Sequence, residues 1–266
     1  MFPFVASPLT TSVSRPRGLR LQSHLVERPV SCLLWGEGRA FDVVRQLALS
    51  DLVGTTATAL GPMGPCGTGE FFTLGTEGTH LTIPTEKCTV AMVRRTTDTT
   101  ARASATFGTD SATTNQRIGA NLPFSDTHVF WDFGGTTTGT SRLDITGYTK
   151  TAGATESWVF VAGARGMAVY LNGRSIGSHT TAITRSASTS AFKLNAGLSL
   201  VGDNQDFGLF LMMHTEWTPT QVRQWATAPF SVFAPVPTRY LLKGSAAPPP
   251  GFGALLAEQR NRLVIA

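Results

Sequence analysis

WVFVAGARGMAVYLNGRSI, residues 158–176, is the stretch whose reading decides the fold. Trp158–Ala162 is one apolar run and Met167–Leu171 a second, joined through Gly163–Gly166. Asn172-Gly173 then stands where the second run turns into Arg174-Ser175-Ile176. A two-residue type I′ turn demands positive φ at both central positions, and Asn-Gly is the pair that tolerates it. The reading is a pair of adjacent antiparallel strands followed by a hairpin, and it leaves no room for a crossover helix.

Working outward, short apolar runs recur every ~8–12 residues, the spacing of a sandwich and not of βαβ units. Toward the N-terminus these are Cys88–Val93, His80–Ile83, Phe71–Leu74 and Cys32–Trp35; toward the C-terminus, Leu198–Val201 and Gly208–Met213. Gly61–Gly69 is too rich in glycine and proline for regular structure and separates two strand-like regions. One helix is expected: Thr218 caps it, Pro219 takes the first helical position and Gln221 closes a capping box. Val222 and Trp225 would then share a face, with the helix over by Pro229. The expected organisation is an irregular arm over 1–29, a β-sandwich over 30–235 and a proline-rich tail over 236–266.

Composition agrees. The 266 residues include 27 glycines, and only 15% are charged, a balance that suits strands joined by tight turns. The net charge of +5 is scattered, its densest cluster being Arg15, Arg17 and Arg20, so a nucleic-acid face is not expected. Three cysteines, Cys32, Cys66 and Cys88, lack both even number and C-x-x-C spacing; they read as small buried residues. Met1–Pro8 lacks the basic start and apolar core of a signal peptide. No stretch approaches ~18 apolar residues, so no membrane span is expected.

The order of these segments resembles a known family. Leu34-Trp35-Gly36-Glu37-Gly38, the Phe71–Leu74 and His80–Pro84 strands and Thr89–Val93 are similar to the opening of laminin-G-like, concanavalin-A-like domains. Asn121–Asp126 followed by Val129–Gly134, the Trp158–Gly173 hairpin, and Val201–Gly202 leading through Gly208 to the Thr218–Trp225 helix continue the likeness over residues 30–235. The last strand departs from it: Leu209–His214 lacks the acidic pair usual there. The resemblance implies an antiparallel two-sheet β-sandwich, all-β in class and a concanavalin-A-like jelly roll, with one short C-terminal helix and irregular terminal arms. A looser resemblance, carried by the basic arm and the Pro229–Pro235 exit, is to virion structural proteins of tailed phages.

Chemical motifs are few. Gly173-Arg174-Ser175-Ile176-Gly177 matches G-x-S-x-G, but its first glycine belongs to a hairpin, where a nucleophile elbow needs a strand–turn–helix. No glutamate has an aspartate two residues on, as the paired carboxylates of glycosidases on this fold would require. No catalytic, cofactor-binding or metal-binding residue is therefore assigned, and the chain is expected not to be an enzyme. Asp203-Asn204-Gln205-Asp206 is the best calcium candidate, since oxygen ligands on a rim loop suit a hard cation and laminin-G-like domains hold one at such an edge. A plain turn explains the same residues and is preferred, so no cofactor is expected. Of the tryptophans, Trp35, Trp158 and Trp225 read as core, while Trp131 could serve either packing or a sugar.

Two functions remain. The leading expectation is a non-enzymatic virion component, a head decoration or tail and fibre part, located in the virion. It would be a homo-oligomer that binds other virion proteins through its terminal arms. The alternative is a lectin module binding glycans for host-surface recognition.

Overall fold

The computed structural model describes residues 19–21, 26–27, 29–36, 39–45, 47–49, 52–53, 64–100, 102–111, 113–124, 127–197 and 200–235. Packing separates Met1–Pro235 from Val236–Ala266. The expected tail and most of the expected arm lie outside the described residues.

Two antiparallel sheets make the body. The larger has nine strands, in the order β15 (Arg174–His179), β14 (Gly166–Leu171), β13 (Thr155–Gly163), β8 (Cys88–Thr96), β17 (Gln205–Met213), β2 (Pro29–Gly36), β3 (Arg39–Asp42) and β4 (Leu47–Leu49), with β6 (Gly64–Cys66) also paired to β17. The smaller has seven: β12 (Arg142–Ile145), β11 (His128–Phe133), β10 (Ile118–Phe124), β9 (Phe107–Thr109), β16 (Ala191–Leu194), β7 (Phe71–Thr76) and β5 (Leu52–Val53). A separate ribbon pairs β1 (Leu19–Leu21) with β18 (Phe233–Pro235), so Leu19–Leu21 of the expected irregular arm is strand, as is Pro29 at the start of β2. The expected sandwich is thus the fold observed.

The deciding stretch folds as read. Trp158 pairs with Leu171 and Gly163 with Gly166, and Asn172 and Gly173 both take positive φ, 50° and 78°. The helix α1 (Pro219–Thr227) starts with a complete capping box between Thr218 and Gln221.

The two sheets bury their strands differently, and the sequence explains why. In β11, Val129, Trp131 and Phe133 enter the core between the sheets while His128 and Phe130 stay half-exposed, the alternation expected of a sheet with one wet face. β17 is buried at every position, because its sheet is covered twice. Phe210 and Met212 join Trp131 and Phe160 in the main core. Leu209, Leu211 and Met213 point the other way, into a second core under α1 with Trp217, Val222 and Trp225. The edge strands β12 and β15 meet at one side of the sandwich, where a Cβ on Gly177 would stand 2.5 Å from Ile145 Cγ1.

Candidate functional site

The outer face of the seven-stranded sheet carries a cleft of about 300 Å³, lined by Arg117, Asn121, Phe124, Phe130, Arg142 and Leu200. Strand register builds it. Gly108 pairs with Gly119, Gly119 with Asp132, and Asp132 with Arg142. Phe107, Ile118 and Ala120 point into the core, so the alternating pleat puts Gly108 and Gly119 outward and leaves a lane without side chains.

One wall is aromatic. The register of β10 against β11 shifts between Asn121 and Phe124, and the Phe124 and Phe130 rings lie 5.5 Å apart. The Arg142 guanidinium sits 4.3 Å over the Phe130 ring. Phe130 is aimed outward because its neighbour Trp131 is locked inward, where the indole N–H donates to the Val161 carbonyl at 3.0 Å, across the core.

The opposite wall is Leu200, held by the segment that follows β16. Asn195, fully buried at φ 60°, donates through Nδ2 to the carbonyls of Gly67, Glu70 and Asp203 and accepts from the Asp203 N–H and Gln205 Nε2. Gly197 approaches so closely that a Cβ there would lie 2.6 Å from the Gly108 carbonyl oxygen. Beside Leu200, Val201 is one of two large apolar side chains exposed among the described residues, at 56%.

Asp132 organises the charge. Its carboxylate is fully buried and accepts from Arg142 Nε at 2.6 Å, Arg142 Nη2 at 2.7 Å and Arg117 Nε at 3.0 Å. These bonds push the Arg142 guanidinium above its already high pKa. Both arginine side chains remain about one-fifth exposed. Behind the cleft, buried Arg94 on β8 donates to the Leu122 carbonyl of β10 at 2.8 Å and pairs with Glu156 at 3.0 Å, tying the two sheets together.

The sequence-level candidates fall elsewhere. Asp203 faces cations already in place: Lys150 Nζ at 2.5 Å and Arg102 Nη1 at 2.7 Å. Asp206 carries the Arg95 guanidinium. Among the described residues no group of three or more His, Cys, Asp or Glu is placed to hold a metal ion. Ser175 lies in strand β15, opposite Tyr170, beyond the Asn172-Gly173 turn. Trp131 and Trp158 are core, as is Trp225; the Trp35 side chain lies outside the described residues. Burial pushes the Cys88 thiol up to about 12 and the Cys32 thiol well above its ordinary value.

Sequence reasoning missed the cleft. The outward positions of β10, β11 and β12 were legible from alternation. Arg117, Asp132 and Arg142, scattered along the chain, come together only through register.

No protein-family model matches the chain, and no curated protein does. Solved structures do. A Trypanosoma rangeli sialidase matches with a TM-score of 0.56 and 12% identity over 77% of this chain and 33% of the sialidase. Domain 4 of AbnA, a GH43 extracellular arabinanase from Geobacillus stearothermophilus solved in complex with arabinotriose, matches with a TM-score of 0.56 and 14% identity, covering 75% of this chain and 98% of that domain. The chain thus spans about a third of the sialidase. At these identities the likeness shows the fold, a lectin-like β-sandwich found in carbohydrate-active proteins. Neither of these neighbours is a phage protein. They also correct the expectation that the chain is not an enzyme: sialidase and arabinanase are enzymes that carry this fold. That expectation rested on motifs contiguous in sequence, whereas side chains on a sandwich converge from separate strands, as Asp132 and its two arginines do.

Proposed function

We propose that the sandwich is a carbohydrate-recognition domain that takes a saccharide into the cleft on the outer face of its seven-stranded sheet. The observation that carries this reading is the lining itself. Two phenyl rings and an aliphatic side chain stand beside oriented guanidinium donors in one concave site, the mixture of apolar wall and few convergent polar groups that small ligands use. A pyranose or furanose presents a flat C–H face to an aromatic ring and a polar edge to hydrogen-bonding groups. The match to an arabinanase domain solved with arabinotriose, covering nearly the whole of that domain, supports the same reading.

Titrating oligosaccharides into isotopically labelled protein tests it. Backbone resonances of β10 and β11 should shift on binding, and Phe130→Ala should abolish the shifts while leaving the spectrum of a folded sandwich. Saccharide binding that survives both Phe130→Ala and Phe124→Ala undiminished would place the ligand elsewhere.

A further inference from the structure

The cleft's hydrogen-bonding inventory is lopsided. A neutral sugar hydroxyl both donates and accepts, so a site built for neutral sugars offers acceptors as well as donors. Among the described residues the carboxylate that meets the lining arginines directly, Asp132, is sealed beneath them and engaged through both oxygens. Asn121 donates through Nδ2 to the Ser104 carbonyl, which leaves its Oδ1 as an acceptor in the lining. What remains to face a ligand is mainly guanidinium: Arg142 has Nη1 left over, and Arg117 has both Nη1 and Nη2, none of them with a partner among the described residues.

The charges agree with the donors. Two arginines against one aspartate leave one net positive charge at the cleft. Among the described residues the other acids on this face are engaged: Asp144 accepts from His128 Nδ1 at 2.7 Å, an imidazole that is cationic only when protonated, and Asp110 pairs with Lys193. Asp132 holds both guanidinium groups by their Nε atoms, which restricts their planes before any ligand arrives. The Nη1/Nη2 end of Arg117 is a planar N–H fork that matches the paired oxygens of carboxylate or sulfate, with Nη1 of Arg142 as a further donor, and preorganising these groups lowers the entropy lost on binding.

From this geometry we infer that the cleft selects an acidic saccharide, one whose carboxylate or sulfate is held by Arg117 and Arg142 while its ring lies against Phe124 and Phe130. This rests on the carbohydrate reading above and narrows it to a substrate class.

Calorimetric titration of the full chain with three probes decides the matter: a neutral arabino-oligosaccharide, an oligogalacturonate carrying carboxylates, and a carrageenan oligosaccharide carrying sulfates and no carboxylate. At least one acidic probe should bind about tenfold or more tighter than the neutral one, as charge-assisted bonds outweigh neutral ones. Its affinity should fall as sodium chloride is raised. Comparison of the two acidic probes tells carboxylate from sulfate. Arg117→Gln should remove about tenfold of the acidic probe's affinity and weaken the neutral probe far less, because only the acidic probe loses a charge-assisted bond. Because Arg142→Gln exposes buried Asp132 to loss of its main partner, Arg142→Lys is the companion variant; it keeps the charge, loses the fork and should also weaken the acidic probe. Equal affinity for neutral and acidic probes, with cleft resonances shifting for both, would overturn the inference and leave the carbohydrate reading standing. Acidic binding indifferent to salt and to both arginine variants would overturn it too. If no probe of any charge shifts the cleft, both readings fall.

Discussion

The two sheets of this sandwich share a core and differ in what lies on their backs. The nine-stranded sheet is covered: Val159, Val161, Leu209 and Leu211 face away from the main core and are still buried, under Trp217, Val222 and Trp225. On the back of the seven-stranded sheet stand His128 and Phe130, half-exposed, with a charged cluster set into the surface around Asp132. Apolar area removed from water stabilises by about 25 cal/mol per Å², so the doubly covered sheet contributes more to holding the molecule together. The singly covered sheet is left free to present side chains. Under the proposed function, stability and recognition fall on opposite faces.

That contrast can be broken, most forcefully at its covered end. Trp225→Ala removes a fully buried indole from the second core and should cost about 3–5 kcal/mol of unfolding free energy by denaturant titration. Whatever fraction stays folded should bind its saccharide with unchanged affinity; a parallel loss of affinity would show that the two faces are coupled. The Asn172-Gly173 turn tests the same sheet from its edge. Gly173→Val forces a β-branched residue to positive φ, and its Cβ would lie 3.1 Å from that of Ala226 on α1. A loss of about 1–3 kcal/mol is expected, and an unchanged denaturation midpoint would mean the hairpin does not steady the helix above it.

A smaller effect concerns acid. The hydrogen bond from Arg102 above all, with help from Asn204 and Lys150 and against partial burial, holds the Asp98 carboxyl well below the usual carboxylate range. The folded state therefore binds fewer protons than the unfolded one below about pH 4, where a free aspartate begins to titrate. Asp98 should stabilise the fold fully above that pH and progressively less as the pH falls. Thermal melts of Asp98→Asn between pH 2 and pH 6, expressed as approximate midpoints, should decline less on acidification than those of the unaltered protein. The smallest structural effect belongs to the open face. Phe130→Ala should cost no more than about 1–2 kcal/mol, since the ring is only partly withdrawn from water, while removing saccharide binding. A cost as large as that of Trp225→Ala would mean that Phe130 is a packing residue and the proposed division of labour is wrong.

The fold was largely legible because its signals are local. The Trp158–Leu171 strand pair, the Asn172-Gly173 turn and the Thr218–Gln221 box each act within a few residues, and each appears as read. The site was not legible, for the opposite reason. Asp203 and Asp206 stand close together in sequence and invite a cation, yet Lys150, Arg102 and Arg95 reach them from distant segments and supply the charge. Arg94, whose position in the run after Val93 looks like an exposed strand end, is fully buried because Glu156 and the Leu122 carbonyl meet it there. Charge pairing across sheets depends on register, and no spacing in the sequence encodes it.

Where β12 and β15 meet, the missing side chain of Gly177 lets Ile145 lie against the neighbouring strand. A sheet's last strand ordinarily offers a row of unpaired N–H and C=O groups on which a strand from another molecule can grow. Here the last strands of both sheets lean on each other, and each obstructs the approach of an incoming chain to the other. Any residue larger than glycine at 177 would wedge them apart and offer two growth edges at once. Its harm would show in how long the protein stays in solution at high concentration, before it showed in how tightly it folds.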